Sequence, residues 1–405
     1  MSQSELVESA RLAVENSVDA KTLDETLQLA RRGRTLEQVD EVGFDATFGE
    51  EAQCLASVSA LPDTEDLDFH RIGLRVKKKP GAYKFGAPWW LRNPHAQTMW
   101  GRFFKRVRKV QTRREMVRAT DGDELELHHL DAAAGVPRVL LLHGLEGSRD
   151  SHYVDGMLAH AADRGWGATL LVFRGCGSAP NLAARFYHSG ETSDVDFVFT
   201  LLADRWPHTR WFGVGVSLGG NVLLKWLGER GSLPRLAGAV AISTPFDLDA
   251  GARHISHGFA RLYDRNFVRS LRRKALAKLE RRPGLFDESR LRGVASIYDF
   301  DDTVTAPVHG FESAADYYAK SSSLGFLRDI RVPTLLLSAY DDPFLPPRVL
   351  DQVEAAISGN PSVVSEFHSS GGHVGFVSGR PWRPFYYAEW RAFRFFDDII
   401  ERESR

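Results

Sequence analysis

The stretch Gly213-Val214-Gly215-Val216-Ser217-Leu218-Gly219-Gly220-Asn221 decides how this chain reads. It contains the pattern G-x-S-x-G from Gly215 to Gly219. The apolar run Trp211–Val216 precedes it, and Leu218–Leu227 has helical spacing after it. That context predicts a strand turning sharply into a helix, with the serine at the apex and glycines where the neighbouring backbone crowds in. The same stretch opens Gly213-x-Gly215, as a dinucleotide fingerprint does. The third glycine position is Leu218, however, and the motif falls late in the chain rather than at a first strand-to-helix turn.

Outward from this turn, short apolar runs recur at Val139–Leu142, Ala168–Phe173, Ala239–Ile242, Thr334–Ser338 and Val363–Phe367. Such runs suit strands buried on both faces. Amphipathic stretches at Tyr153–Ala162 and Val195–Leu202 alternate with them, which predicts a mostly parallel central sheet with helices on both faces. Met116–Ala119 and Glu124–Leu130 flank Asp121-Gly122, a hairpin signal. The alternation breaks at 245–325, too long for a simple crossover, and an inserted helical cap is expected there. The expected organisation is a polar helical N-terminal extension over 1–80, an α/β core over 81–244 and 326–405, and the cap between.

A serine hydroxyl is a weak nucleophile near neutral pH and needs a base with an acid behind it. In folds built around such an elbow the chain order is serine, acid, histidine. Past Thr334–Ser338 come Asp341-Asp342-Pro343-Phe344-Leu345-Pro346, and Asp342, four residues before Pro346, is the preferred acid over Asp341. Past the last strand, His373 sits on the glycine-rich loop Gly371-Gly372-His373, where the backbone is free to bend, and is preferred as base over His368. Two backbone N–H groups would complete an oxyanion hole: that of Leu218 and that of Leu145 in His143-Gly144-Leu145-Glu146-Gly147-Ser148. His143 is expected to hold this loop rather than act as a base. Arg174, His188 and the turn Asn93-Pro94-His95 are read as structural supports.

With these residues in view, the chain resembles the AB hydrolase 4 family of the α/β-hydrolase superfamily, the group of YheT-like hydrolases. The resemblance rests on Asn93–Thr98, on HGLEGS at 143–148, and on Phe173–Gly177 with Tyr187–Thr192. It rests also on Phe300–Pro307 with Gly310-Phe311, and on Gly371–Phe376. It spans residue 86 to about residue 400 and leaves out 1–80. It implies an α/β-hydrolase fold, with nucleophile, acid and base falling on Ser217, Asp342 and His373. The implied activity is hydrolysis of carboxylic esters, short-chain acyl or lipid-like, through an acyl-enzyme. An acyltransferase using the same triad, and a non-catalytic binding protein on this scaffold, are the rival readings.

The stretch Arg265–Arg282 is basic and amphipathic, with Phe267, Leu271, Ala275 and Leu279 on one face. It is read as a cap helix with a solvated basic face, and a transient membrane-surface contact is the sharper alternative. Phe259, Leu262, Tyr263 and Phe267 are expected to wall an apolar substrate pocket.

Composition narrows the rest. Net charge is −1 over 405 residues, without the basic excess of nucleic-acid binders. Two cysteines, Cys54 and Cys176, make neither a disulfide framework nor a metal site. No HExxH, CxxC or P-loop pattern occurs, so neither metal nor organic cofactor is expected. The start MSQSELVESARLAVENSVD lacks the basic and apolar parts of a secretory signal, and no apolar run approaches a membrane span. A cytoplasmic protein acting on a small-molecule acyl ester is the expectation, with oligomeric state open.

Overall fold

The computed structural model describes residues 84–404 apart from 179, 180 and 234. The expected extension over 1–80 and Cys54 lie outside the described residues.

Helix α1 (Pro94–Phe104) opens this part of the chain; the Asn93 carboxamide accepts from the N–H groups of His95 and Ala96, and Pro94 occupies the first turn, where no N–H is needed. Next come β1 (Arg113–Arg118) and β2 (Glu124–Leu130), then β3 (Arg138–Leu142), α2 (Val154–Asp163), β4 (Gly167–Val172) and α3 (Ser193–Arg205). They are followed by β5 (Trp211–Val216), α4 (Leu218–Arg230) and β6 (Leu236–Ile242). After the helical stretch described below, β7 (Thr334–Ala339) leads to a helix at Arg348–Ile357, then β8 (Val363–His368), β9 (Val377–Arg380), β10 (Arg383–Tyr386) and the helix Tyr387–Glu403.

Eight strands form one sheet in the order β1-β2-β4-β3-β5-β6-β7-β8. The pairs β1/β2 and β2/β4 are antiparallel and every other pair is parallel. Gly122, at φ +83°, makes the β1–β2 turn that Asp121-Gly122 predicts. β9 and β10 form a separate ribbon that the apolar runs do not announce, because its residues are mostly polar and partly exposed.

The two faces of the sheet are packed differently, as the period of two along a strand requires. On β5, Trp211 meets Phe199 of α3, while its neighbour Phe212 stacks on Trp166 and Phe396 on the opposite face. Every residue of β3, β4, β5 and β7 is buried, which explains their continuous rather than alternating apolar pattern.

Strand β3 lies between β4 and β5, so the chain leaves β3 to one side and returns to the other. Where strand order reverses, the loops at the carboxyl ends part and leave a crevice. Here that crevice lies between the loop after β3, beginning at His143, and the turn after β5 at Ser217.

Between β6 and β7 the chain is helical: α5 (Leu248–Ile255), α6 (Arg261–Arg281), α7 (Glu288–Gly293), α8 (Ile297–Phe300), a π-turn over Asp301–Thr305, α9 (Ala306–His309) and α10 (Ala314–Ser321). Val268, Leu271, Ala275 and Leu279 of α6 form a small apolar core with Phe286, Leu291 and Phe300. Two expectations change here. Val268, not Phe267, joins Leu271 on the packed face, and Phe267 turns toward Phe344 instead. Nor is the basic side wholly solvated: Lys278 is buried and donates to the Ala183 carbonyl at 2.6 Å, and burial lowers its pKa to about 8. No helix among the described residues is long and apolar enough to cross a membrane.

Arg174, just after β4, is fully buried and binds Asp194 of α3 through Nε (2.6 Å) and Nη2 (2.8 Å), and Asp123 through Nη1 (2.9 Å). It ties the loop after β4 to the hairpin and to α3. Removing one member of a buried ion network strands the others without a counter-charge. Arg174→Ala is therefore expected to lower stability by about 3–5 kcal/mol, read as a shift of the urea midpoint at pH 7; a shift of a few tenths would contradict this role.

Candidate active site

Ser217 lies between β5 and α4 at φ +54°, ψ −121°, a region that residues with a side chain rarely occupy. Its N–H donates to the Ile242 carbonyl of β6 at 2.8 Å, which fixes the turn to the neighbouring strand. The glycines are required by contact. A Cβ on Gly215 would stand 2.4 Å from the Gly219 carbonyl oxygen. One on Gly219 would stand 2.5 Å from the oxygens of Leu142 and His143, and one on Gly220 2.2 Å from the Thr244 hydroxyl. The turn is thus wedged between β3 and β6 and leaves the serine hydroxyl at its apex.

His373 reaches that hydroxyl. Its Nε2 is 2.9 Å from Ser217 Oγ, and its Nδ1 is 2.8 Å and 3.1 Å from the two carboxylate oxygens of Asp342. Both His373 and Asp342 are at least nine-tenths buried. The structure therefore brings together the three residues that the sequence nominates. Asp341 faces elsewhere: its carboxylate accepts the Gly372 N–H at 2.8 Å and shapes the loop carrying His373. His368 packs edge-on against Phe85 and Tyr387, far from this arrangement in role.

Three supports surround this arrangement. The His373 N–H donates to Thr98 Oγ1 at 2.9 Å, and the Thr98 hydroxyl donates to the Pro94 carbonyl at 2.8 Å. Asn93–Thr98 is therefore a scaffold for the histidine loop, with Gln97 bound to Leu91 and Val377 behind it. The Phe344 ring stacks on the His373 imidazole with centroids 4.1 Å apart, and its N–H donates to Asp342 Oδ1 at 2.8 Å. Ser243, at φ +49°, accepts the Val374 N–H at 2.9 Å. Of these, only the Asn93–Thr98 motif left a signal in the sequence.

The loop after β3 borders Ser217 directly: a Cβ on Gly144 would lie 3.2 Å from the serine Cβ. The Gly144 N–H donates to the Tyr153 hydroxyl at 2.8 Å and the Glu146 N–H to the Tyr187 hydroxyl at 2.9 Å. Neither Leu145 N–H nor Leu218 N–H has a protein acceptor among the described residues. A loop pinned on both sides of Leu145, next to a helix start, can hold two donors in place for an oxyanion. His143 lies beneath it, fully buried; its Nε2 accepts the Phe173 N–H, so Nδ1 carries the proton to the Gly144 carbonyl at 2.7 Å. It is a strut of the loop.

Ser217, His373, Leu145 and Leu218 all border one cavity of about 930 Å³, of the size that holds a small ligand almost whole. Phe259, Leu262, Tyr263 and Phe267 line the same cavity, with Phe259 and Leu262 more than half exposed. His188 lines it as well, packed against His309, Phe311 and Tyr317. Cys176 is half-buried beside Lys274, and burial raises its thiol to about 11, so it is no nucleophile at neutral pH.

The sequence matches the family model described as alpha/beta hydrolase fold over residues 137–379. The chain belongs to the α/β-hydrolase fold family. Within that family it falls in the YheT-like group: it is 36% identical over 317 residues to a protein of Escherichia coli strain K12 named "Putative esterase YheT", covering 77% of this chain and 92% of the relative. A monoacylglycerol lipase of Saccharomyces cerevisiae is 31% identical over 65% of this chain and 59% of its own length. The mouse phospholipase ABHD3 is 27% identical over 72% of each chain. Among solved structures, the Pyrococcus furiosus esterase Pf2001 matches 72% of this chain and 92% of its own, at 17% identity and a TM-score of 0.48. Family and relatives together make the chain a hydrolase by class.

Burial also fixes protonation here. It lowers the pKa of His143 to about 4, and those of His152 and His188 to about 3. The unfolded chain titrates its histidines near 6.5, so below that pH it binds protons that the folded chain refuses. Stability is then full above about pH 6.5 and falls as pH drops toward 4, by up to about 1.4 kcal/mol per pH unit for His143 alone. Urea unfolding at pH 7 and pH 5 should give the lower midpoint at pH 5; equal midpoints would contradict neutral buried histidines.

Proposed function

We propose that this chain is a serine hydrolase that cleaves carboxylic esters through an acyl-enzyme on Ser217, His373 and Asp342. The observation that carries the reading is the continuous line of hydrogen-bond distances, 2.9 Å from Ser217 Oγ to His373 Nε2 and 2.8 Å from His373 Nδ1 to Asp342, at the wall of a cavity with apolar sides. His373 takes the hydroxyl proton as Ser217 Oγ attacks the ester carbonyl. Asp342 holds the imidazole with its proton on Nδ1 and stabilises the cation that forms. The N–H groups of Leu145 and Leu218 receive the oxyanion. The alcohol leaves with the proton from His373, and water then attacks the acyl-enzyme with the same base.

The helical stretch 245–325 acts in this reading as a cap over the catalytic cavity, with Phe259, Leu262, Tyr263 and Phe267 as its acyl-side wall. Short-chain acyl or lipid-like esters are the substrate class. The names of the relatives, an esterase, a monoacylglycerol lipase and a phospholipase, support the longer end of that range.

A fluorophosphonate probe should label the wild-type chain and not Ser217→Ala, and that substitution should lower turnover of a p-nitrophenyl ester by at least roughly 10³-fold, as for loss of a triad member. Turnover of the alanine variant near wild type would overturn the assignment. Across p-nitrophenyl esters of rising acyl length, kcat/KM should climb with each methylene that the apolar wall buries, by up to about fourfold, equivalent to about 0.8 kcal/mol. A decline from acetate onward would exclude an acyl-binding cavity.

A further inference from the structure

The motif Phe300–Pro307 takes no part in the chemistry above, yet it enters the catalytic cavity. Asp301 opens a π-turn over Asp301–Thr305, an uncommon helix form that often marks functional positions. Its carboxylate accepts from the Thr305 hydroxyl at 2.5 Å and from the Tyr318 hydroxyl at 2.7 Å. Asp301, Thr305 and Tyr318 line the same cavity as Ser217, with the nearly buried rings of Phe300 and Tyr317 beside them.

No basic side chain answers this carboxylate. Asp302 next to it pairs with Arg290 at 3.0 Å, and Glu146 elsewhere on the cavity wall pairs with Lys274 at 2.8 Å. Asp301 has no ion-pair partner among the described residues; hydroxyls alone meet it, and burial pushes its carboxyl up to about 6. Arg102 is the one lysine or arginine among the described residues that line the cavity, and His152 and His188 there are held neutral. Each carboxylate oxygen can accept two hydrogen bonds, and each accepts one from the protein. A half-buried carboxylate met by hydroxyls alone, with spare acceptor capacity and aromatic rings around it, can receive a cation from the cavity.

We propose that Asp301, with Tyr318 and the rings of Phe300 and Tyr317, forms a subsite for an ammonium group carried by the ester substrate. The inference rests on the serine-hydrolase reading and adds a substrate class to it: esters with a positively charged amine on the acyl or the alcohol part. The carboxylate supplies the charge, the rings supply a polarisable wall, and the confined cavity weakens competition from water.

The test uses the whole chain and pairs of esters that differ only in charge: a trimethylammonium end against a tert-butyl end of the same shape. One series carries it on the acyl part and one on the alcohol part, over increasing spacer lengths. The wild type should favour the cationic member in at least one series by about tenfold or more in kcat/KM, the lower range for a charge pair out of water. Asp301→Asn should shrink that ratio by about tenfold, with thermal unfolding confirming a folded variant. Equal use of both members by the wild type in every series overturns the proposal, whether or not the variant folds. A preference that survives in folded Asp301→Asn overturns it as well. Neutral-ester turnover that a fluorophosphonate blocks tests the serine reading separately: if that turnover is present and the charge preference absent, only the subsite fails.

Discussion

The arrangement depends on one strained residue held by its neighbours. A left-handed backbone at a residue with a side chain costs about 1–3 kcal/mol and persists only where the surroundings dictate it. At Ser217 they do so by exclusion. The carbonyls of Leu142 and His143 press on Gly219, Gly219 presses on Gly215, and Thr244 presses on Gly220, so the turn has no room for another path. The bond from Ser217 N–H to the Ile242 carbonyl ties the turn to β6 as well. The backbone that carries the serine hydroxyl is thus placed by the sheet.

The partners of the serine are placed differently. His373, Asp342 and Leu145 stand on loops, and side-chain hydrogen bonds hold these loops alongside apolar contacts such as that of Phe344 on His373. Thr98 holds the His373 backbone, Asp341 holds Gly372, Ser243 holds Val374, and Tyr153 and Tyr187 hold the two sides of Leu145. These bonds are directional, which suits groups that must meet within tenths of an ångström. The sheet fixes Ser217, and side-chain bonds bring His373, Asp342 and the Leu145 N–H to it.

This division explains what was legible in the sequence. Strands β3, β4, β5 and β7 announced themselves because burial on both faces leaves mostly apolar residues. Ser217 was legible because the turn demands glycines at fixed offsets, and Asp342 and His373 because chain order limited the choice. Phe344 over the imidazole and Thr98 under its backbone were not, since each contact joins segments far apart and neither residue type is rare there. Phe267 and Val268 exchanged places for a related reason. A helical stripe one residue wide in sequence faces two surfaces in space, the cap's own core and the cavity, and only the packing decides which residue serves which.

Glu146 joins the two halves of the site. It follows Leu145 at φ +56°, so its backbone turns the donor loop, while its carboxylate is bound by Tyr187, by Lys274 at 2.8 Å and by Ser270. Lys274 and Ser270 belong to α6, whose other residues Phe267 and Leu271 line the cavity. The helix that lines the cavity and the loop that carries Leu145 are thus fastened at one carboxylate. Tyr187, Lys274 and Ser270 meet on the Glu146 carboxylate and so form one network joining α6 to the loop beside Ser217. The cavity wall formed by α6 and the loop carrying Leu145 are therefore linked through one carboxylate, although Leu145 and Phe267 lie more than a hundred positions apart.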